Sequence, residues 1–161
     1  MKGGWAILLL AGCAGASVEP GPALLRDPSV PIASKVDFDP ARFVGTWHET
    51  EALPAPVDCF AARVEIAPGD RPGTLEERRS CDGREVSRSP LTHTGMGRLS
   101  GPGGGDAEWV LWVDEGYRTA VLGRPDGRGA RILDREPGGA PDRARAARTV
   151  MEFNGYRPAA R

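Results

Sequence analysis

The sequence predicts an all-β protein, an eight-stranded antiparallel up-and-down β-barrel with one C-terminal α-helix packed outside it. The 161-residue chain contains 22 glycines and 15 prolines, which is typical of many short elements joined by tight turns. Eight short apolar or alternating runs recur between turn signals at the spacing of a meander, and eight such antiparallel strands close into a barrel. A helical pattern follows the last run.

The chain begins with MKGGWAILLLAGC, in which Lys2 precedes an apolar run that ends at Leu10. This arrangement is typical of an export signal, and the run is shorter than the about 20 residues of a membrane-spanning helix. We therefore expect residues 1–12 to be a signal peptide. Residues 13–36 are rich in Pro, Gly and Ser without a sustained period, which predicts an anchor and a flexible tether. Residues 37–161 then form the barrel domain with its helix.

The string from Leu10 to Cys13 resembles the lipobox of bacterial lipoproteins. The resemblance implies that Cys13 is acylated, with chains such as palmitate, and becomes the first residue of the mature protein. Several acyl chains, each contributing about 0.8 kcal/mol per buried methylene, hold a protein firmly at a membrane. Ala14 stands where lipoproteins retained in the inner membrane carry aspartate. The resemblance therefore implies the periplasmic face of the outer membrane.

Turn signals divide the chain after Trp47 into the expected strands. These strands are Thr46–Ala52, Phe60–Ala67, Thr74–Cys81, Glu85–Thr94, Met96–Ser100, Glu108–Val113, Tyr117–Gly123 and Gly129–Arg135. In FAARVEIA, alternate residues from Phe60 to Ile66 are apolar, so one face of this strand points toward a core or cavity. EWVLWV is apolar on both faces after Glu108, which predicts that another element covers it from outside.

The covering element is predicted to be a helix over residues 141–156. Pro141 suits its first turn and Gly155 its end, while Ala147 and Met151 share an apolar face with Ala144. Its arginines, Arg143, Arg145 and Arg148, are expected to form a solvated face, with contact to DNA or lipid headgroups as the alternative. The formal net charge of −1 creates no general attraction for nucleic acid, so no nucleic-acid partner is predicted.

Cys59 and Cys81 are predicted to form a disulfide. An exported protein meets an oxidising compartment, and the two cysteines lie eleven residues to either side of Asp70, at the centre of a turn cluster. Such symmetric positions face each other in an antiparallel hairpin. A metal pair is the alternative, but His48 and His93 do not lie at ligand spacing from either cysteine, so no metal site is expected.

Three motifs occur in order ahead of the predicted helix: Gly45-Thr46-Trp47, DEGYRTA at Asp114–Ala120, and ILDREP at Ile132–Pro137. Together with the helix they resemble the lipocalin family, most closely the bacterial outer-membrane lipoprotein lipocalins, over residues 36–158. The resemblance implies a lipocalin calyx in which Trp47 closes one end, Arg135 lies across its ring, and Asp114 and Tyr117 shape the adjacent corner. Gly45 lets the chain turn beneath the tryptophan. It also implies non-enzymatic binding of a small hydrophobic or amphipathic ligand.

Alternation within the strands predicts which side chains line the pocket. The expected lining residues are Phe60, Ala62, Val64, Val110, Trp112, Thr119, Val121, Arg131 and Leu133. Arg131 is the unusual member, because an unpaired interior guanidinium is costly. It either pairs internally or reaches solvent, or it receives the carboxylate or phosphate of a fatty acid or lysophospholipid. Glu76 and Arg78 are expected to point inward, and the short segment Ser100–Asp106 should leave one side of the mouth low.

Three functions follow as alternatives. One is a lipid-anchored carrier without cofactor. Another is an interaction protein whose barrel is filled. The remaining one is a lipid-processing enzyme on the same barrel, which requires a reactive group such as a free pocket cysteine. Both domain cysteines are committed to the predicted disulfide and no Ser–His–acid set is visible, so no catalytic residue is expected. The sequence leaves the oligomeric state open.

Overall fold

A computed structural model describes residues 24–59 and 61–157 of the chain. Eight antiparallel strands form a closed barrel in sequence order, in which β8 pairs with β1. The strands are β1 Gly45–Leu53, β2 Arg63–Pro68, β3 Thr74–Cys81, β4 Arg84–His93, β5 Arg98–Ser100, β6 Glu108–Val113, β7 Thr119–Gly123 and β8 Ala130–Asp134. Helix α1 covers Pro40–Phe43 and helix α2 covers Pro141–Phe153. The predicted fold class is confirmed.

Two local features differ from expectation. The one-turn helix α1 is not apparent in the sequence pattern, and it begins where the Asp39 carboxylate accepts the N–H of Ala41 at 2.9 Å. Strand β7 begins at Thr119 rather than Tyr117, because Tyr117 has a positive φ of 52° and belongs to the preceding turn. The Asp114 carboxylate closes that turn by accepting the N–H of Thr119 at 2.8 Å.

Trp47 forms the floor of the barrel at its closed end. Its ring is buried against Phe43, and the guanidinium carbon of Arg135 lies 3.7 Å from the centroid of the Trp47 ring. Arg135 also donates to the carbonyls of Thr46 and Val44 at 2.9 and 3.0 Å. A Cβ on Gly45, which has φ +116°, would lie 2.8 Å from Arg135 Nη1. These contacts match the structural roles that the resemblance implied.

The lower half of the barrel interior is an apolar core above this floor. Its members include Val64, Ile66, Leu75, Leu91, Leu99, Val110, Ala120, Leu122 and Leu133. Phe38 and Tyr117 close it from below, where Phe38 packs edge-on against Phe43. The closed half of the barrel therefore holds side chains rather than space for a ligand.

Helix α2 packs on the outside of the barrel, as predicted. Ala147 and Met151 contact the outer face of β6, β7 and β8 through Leu111, Val121 and Ile132. The prediction that Arg143 and Arg148 belong to a solvated face is wrong. Arg143 donates to the buried Asp134 carboxylate at 3.0 Å, and Arg148 donates to Glu51 at 2.7 Å, so both attach the helix to the barrel.

The segment before the barrel is fastened to its outside, so the predicted flexible tether is wrong from residue 24 to residue 36. Leu25 N–H donates to the carbonyl of Gly127 at 2.8 Å, and Ala33 N–H donates to Asn154 Oδ1 at 2.9 Å. Lys35 N–H donates to the carbonyl of Val110 at 2.8 Å, beside a β-bulge in β6. Cys13 and the predicted signal peptide, residues 1–12, lie outside the described residues.

The predicted disulfide between Cys59 and Cys81 is confirmed, with a Cα–Cα distance of 5.8 Å. The two cysteines are not paired across the β2–β3 hairpin, because β2 starts at Arg63 and Cys59 lies in the loop between β1 and β2. The bond therefore ties that loop to the upper end of β3. Within the described ranges, no helix is both long and apolar enough to span a membrane.

Candidate functional site

The open half of the barrel interior contains a cluster of charged side chains. Arg131 reaches inward from β8, Glu77 and Arg79 from β3, Glu49 from β1 and Glu108 from the first position of β6. Each of these side chains points inward, because it lies an even number of residues along its strand from an apolar core residue such as Leu133 or Leu75. We refer to these five residues as the ionic cluster.

Arg131 is the centre of the ionic cluster. Its Nε and Nη2 donate to the two carboxylate oxygens of Glu108 at 2.9 and 2.6 Å. Its Nη1 and Nη2 donate to the two oxygens of Glu77 at 2.9 and 2.6 Å. The side chain of Arg131 is only 12% exposed. The interior guanidinium is thus paired within the protein, which is the first of the two alternatives that the sequence left open.

Glu49 completes the cluster from β1, the strand that pairs with β8. Its carboxylate accepts a hydrogen bond from Arg79 Nη2 at 2.5 Å and lies 3.9 Å from Arg131 Nη1. Three carboxylates therefore face two guanidiniums in a poorly solvated volume. Such an arrangement attracts cations and hydrogen-bond donors more readily than anions.

The pKa values of Glu108 and Arg131 reflect their burial and this excess of carboxylate. Burial raises the pKa of Glu108, and the nearby carboxylates of Glu77 and Glu49 add to the effect against the opposing attraction of Arg131. Burial by itself would lower the pKa of Arg131, but the carboxylates of Glu108 and Glu77 outweigh it and raise the pKa. Arg131 is therefore a permanent cation, and Glu108 takes up a proton more readily than an exposed glutamate does.

The ionic cluster is reached through a recess at the side of the mouth. Strand β5 has only three residues, and β4 pairs with it only at Thr92 and His93, so β4 has no ladder partner on that side from Arg84 to Leu91. The recess has a volume of about 240 Å³. It is lined by Glu77, Ser89, Leu91, Gly101, Pro102, Asp106, Glu108, Arg124 and Arg131. This low side of the mouth was predicted from the short segment Ser100–Asp106.

A second recess of about 300 Å³ adjoins the first and shares Leu91 and Pro102 with it. It lies on the side of the barrel toward the closed end, where Leu75, Pro68 and Pro90 provide apolar surface beside polar groups of the turn between β2 and β3. The recess at the mouth itself combines the charged ionic cluster with apolar surface from Leu91 and Pro102. That combination suits a ligand with one polar and one apolar part.

Several predicted lining residues do point into the barrel. Val64, Val110 and Leu133 belong to the interior apolar core, and Arg131 belongs to the ionic cluster. Ala62 is fully buried just before β2, where its carbonyl accepts the N–H of Glu49. Phe60 lies outside the described residues.

Three predicted lining residues are wrong, because they face outward beneath helix α2. Thr119 and Val121 were placed by counting in twos from Tyr117, which has left-handed φ and is not part of the strand. The Thr119 hydroxyl donates to Asp134 at 2.5 Å, and Val121 packs in the helix interface. The β-bulge between Val110 and Trp112 turns Trp112 to the same outer interface.

The expectation that Glu76 and Arg78 point inward is also wrong. Glu76 accepts from Arg78 at 2.7 Å and from Arg88 at 3.4 Å on the outer face of the β3–β4 hairpin. Their neighbours Glu77 and Arg79 are the inward residues that the sequence reasoning missed. The usable signal was Leu75, since it is the apolar residue of TLEERRSC and steps of two from it give residues 77 and 79.

Within residues 24–59 and 61–157, no group of three or more His, Cys, Asp or Glu side chains is arranged to hold a metal ion. The three carboxylates of the ionic cluster are instead directed at guanidinium groups. The available chemistry at the mouth is therefore hydrogen bonding and ion pairing.

Comparison with solved structures identifies proteins of the same fold. Insecticyanin from the tobacco hornworm Manduca sexta is 15% identical, with 76% of this chain and 76% of that chain covered and a TM-score of 0.50. Lobster apocrustacyanin A1 is 14% identical, with coverages of 78% and 83% and a TM-score of 0.51. No protein-family model matches the sequence, and no curated protein matches it. Insecticyanin and crustacyanin are lipocalins, so the likeness shows that this chain has the closed-barrel fold of a lipocalin.

Proposed function

We propose that the protein is a lipid-anchored, non-enzymatic binding protein of the bacterial cell envelope, of the kind its sequence resembles among outer-membrane lipoprotein lipocalins. The observation that carries the proposal is the recess at the open end, in which Leu91 and Pro102 lie beside the charged side chains of the ionic cluster. Small-molecule sites are usually concave and apolar with a few placed polar groups. The barrel supports such a site at its open end, above a packed lower core.

The ligand is a small amphipathic molecule, of the fatty-acid or lysophospholipid class, and the ionic cluster favours the second. Four hydrogen bonds to Glu77 and Glu108 already occupy the guanidinium of Arg131. A fatty-acid carboxylate would add a fourth negative group to the three of the cluster. A zwitterionic headgroup instead brings a cation that Glu77 and Glu108 can stabilise.

The envelope location is supported by two features of the sequence and one of the structure. The leader and the lipobox-like string at Leu10–Cys13 favour export and acylation of Cys13. The disulfide between Cys59 and Cys81 is typical of proteins outside the reducing cytoplasm. The same bond commits both cysteines of the barrel domain, which argues against catalysis by a thiol in the pocket.

A second function, an interaction protein with a filled barrel, is favoured by one specific observation. Apolar side chains pack the lower interior, and the ion pairs of Arg131 cross the upper interior from β8 to β3 and β6. The recess of about 240 Å³ is smaller than the about 300–1,000 Å³ of typical ligand pockets. In this alternative the barrel serves as a rigid support for an external surface.

Native mass spectrometry of the protein extracted from its membrane tests the proposal. Carriage predicts a stoichiometric lipid that remains bound in addition to the acyl chains on Cys13. An empty barrel in every preparation would favour the interaction protein. In solution, the purified protein should bind lysophosphatidylcholine about tenfold more tightly than palmitate, because of the charge of the cluster. The reverse order would make Arg131 an anion receptor after all.

A further inference from the structure

We propose that the open end of the barrel docks against a lipid bilayer, so that the recess at the mouth faces the membrane. The inference rests on the proposed anchor at Cys13 and concerns which end of the barrel that anchor presents to the bilayer. Its support comes from the place where the chain joins the domain, the length of chain back to Cys13, and the side chains exposed around the mouth.

The N-terminal segment joins the domain at the open end. Leu25 N–H donates to the carbonyl of Gly127 at 2.8 Å, and Gly127 lies in the turn that connects the upper ends of β7 and β8. Arg26 forms a β-bridge with Tyr156, whose hydroxyl donates to the Arg124 carbonyl in the same turn. From there the segment descends along the outside of the barrel. It reaches the closed end at Phe38, which packs against Phe43.

The distance from Cys13 to this point is short. Leu24 is the eleventh residue after Cys13. By polymer statistics a chain of that length spans about 18 Å on average and at most about 38 Å. Strand β1 has nine residues and, at about 3.3 Å per residue and a tilt of about 40°, gives the barrel a height of about 23 Å. If the closed end faced the membrane, the chain between Cys13 and Leu24 would have to span the height of the barrel to reach the bilayer.

Apolar side chains are exposed around the same end. The described residues include six exposed large apolar side chains, and four of them lie at the open end. Val57 is 83% exposed in the loop after β1, and Phe153 is 78% exposed at the end of α2. The other two are Leu24 and Val86. Exposed apolar groups gain free energy by entering the interfacial layer of a bilayer, so this end is the better docking surface.

Positive and negative side chains are interspersed around the mouth, where the exposed Arg84 and Arg128 each lie two residues from an aspartate, Asp82 and Asp126. Arg124 pairs with Asp106 and Asp126 at 3.1 Å each, and Arg88 pairs with Glu85 at 3.0 Å. Attraction to anionic headgroups therefore does not carry the contact. Docking through apolar side chains should occur on zwitterionic lipid and persist at high salt.

Fluorescence quenching in vesicles tests the orientation. The chain that starts at Cys13 is coupled through the Cys13 thiol to a maleimide phospholipid in vesicles of phosphatidylcholine that contain a brominated analogue. The probes are Val57→Trp at the open end and Val36→Trp near the closed end, since Val36 is 75% exposed and makes a matched control. After the wild-type emission is subtracted, Val57→Trp should be quenched about threefold more than Val36→Trp, with no change in high salt.

Equal quenching, stronger quenching of Val36→Trp, or quenching of neither probe would overturn the proposed orientation. Val86→Trp provides a second open-end probe if Val57→Trp fails to fold. The natural anchor is tested separately, by the mass of the protein extracted from its membrane. An unacylated Cys13 would refute the anchor in the proposed function, while the vesicle experiment would still report which end of the barrel prefers lipid.

Discussion

The guanidinium of Arg131 and the carboxylate of Glu108 form a two-bond ion pair inside the barrel, with N···O distances of 2.9 and 2.6 Å. Glu77 binds the same guanidinium through two further hydrogen bonds. The three residues belong to strands β8, β6 and β3, which are not neighbours in the sheet. The contact therefore braces the open half of the barrel across its interior, where the apolar core has ended.

Replacement of Arg131 by Met should destabilise the protein by roughly 3–5 kcal/mol, because Glu77 and Glu108 then remain buried without their cation. The change is measured as the free energy of unfolding in urea. Addition of Glu77→Gln and Glu108→Gln to Arg131→Met should recover most of the loss, since the unpaired charges are removed.

Arg88→Met is the matched control for this prediction. Arg88 also pairs with two carboxylates, Glu85 and Glu76, but it does so on the exposed outer face of the β3–β4 hairpin. Exposed ion pairs contribute little to stability, so this variant should unfold almost as the wild type does. Similar losses in Arg131→Met and Arg88→Met would mean that the interior pairs are as well solvated as the exposed ones.

Arg135→Lys should weaken the closed end of the barrel. The guanidinium covers the Trp47 ring and donates to the carbonyls of Thr46 and Val44, and a lysine ammonium cannot reproduce this planar geometry. The expected loss is about 2 kcal/mol in the free energy of unfolding. Arg118→Lys is the control, because Arg118 is exposed and its side chain pairs with Asp114 alone. An equal effect of both substitutions would contradict the special role of Arg135.

Reduction of the disulfide should lower the stability of the barrel. Cys59 and Cys81 are separated by 22 residues, and a bond that closes such a loop stabilises the folded state by roughly 3 kcal/mol through the unfolded chain. Urea unfolding with and without a thiol reductant measures the difference. The Cys59→Ser/Cys81→Ser variant should match the reduced wild type and should not respond to reductant. A response of that variant would indicate another target of the reductant.

The order of the strands and the closed end could be predicted from the sequence, because local signals determine them. Turn residues mark each hairpin, and Gly45 and Trp47 stand in a motif that links the start of β1 to Arg135 after β8. These signals predict the same strand order even when the boundary of a strand is misplaced by one or two residues. The fold class therefore did not depend on exact register.

The direction of each side chain could not be predicted as well, because it depends on exact register. One bulge between Val110 and Trp112 moved Trp112 to the outer face. One residue with left-handed φ, Tyr117, shifted the count for Thr119 and Val121. A slip of one residue exchanges the inside and the outside of a strand.

The ionic cluster was missed for a related reason. Of its five members only Arg131 was expected inside, and its partners Glu77 and Glu108 come from strands far away in the sequence. A charged residue inside a barrel implies an opposite charge nearby, but strand pairing alone does not identify which carboxylate supplies it. An apolar residue such as Leu75 in β3 shows which alternate positions of its strand point inward, and it is the most useful guide to such partners.

The ion pair between Arg143 and Asp134 should make the attachment of helix α2 depend on pH. Burial by itself would raise the pKa of Asp134, but hydrogen bonds from Arg143 and Thr119 outweigh it and lower the pKa below the ordinary 3.8. This contribution to stability is present above the unfolded pKa and is lost as the pH falls through the folded value. Asp134→Asn should therefore cost roughly 1.5–3 kcal/mol in urea unfolding at neutral pH and less at a pH well below 3.8. A loss that is equal at both pH values would show that the carboxylate charge does not hold the helix.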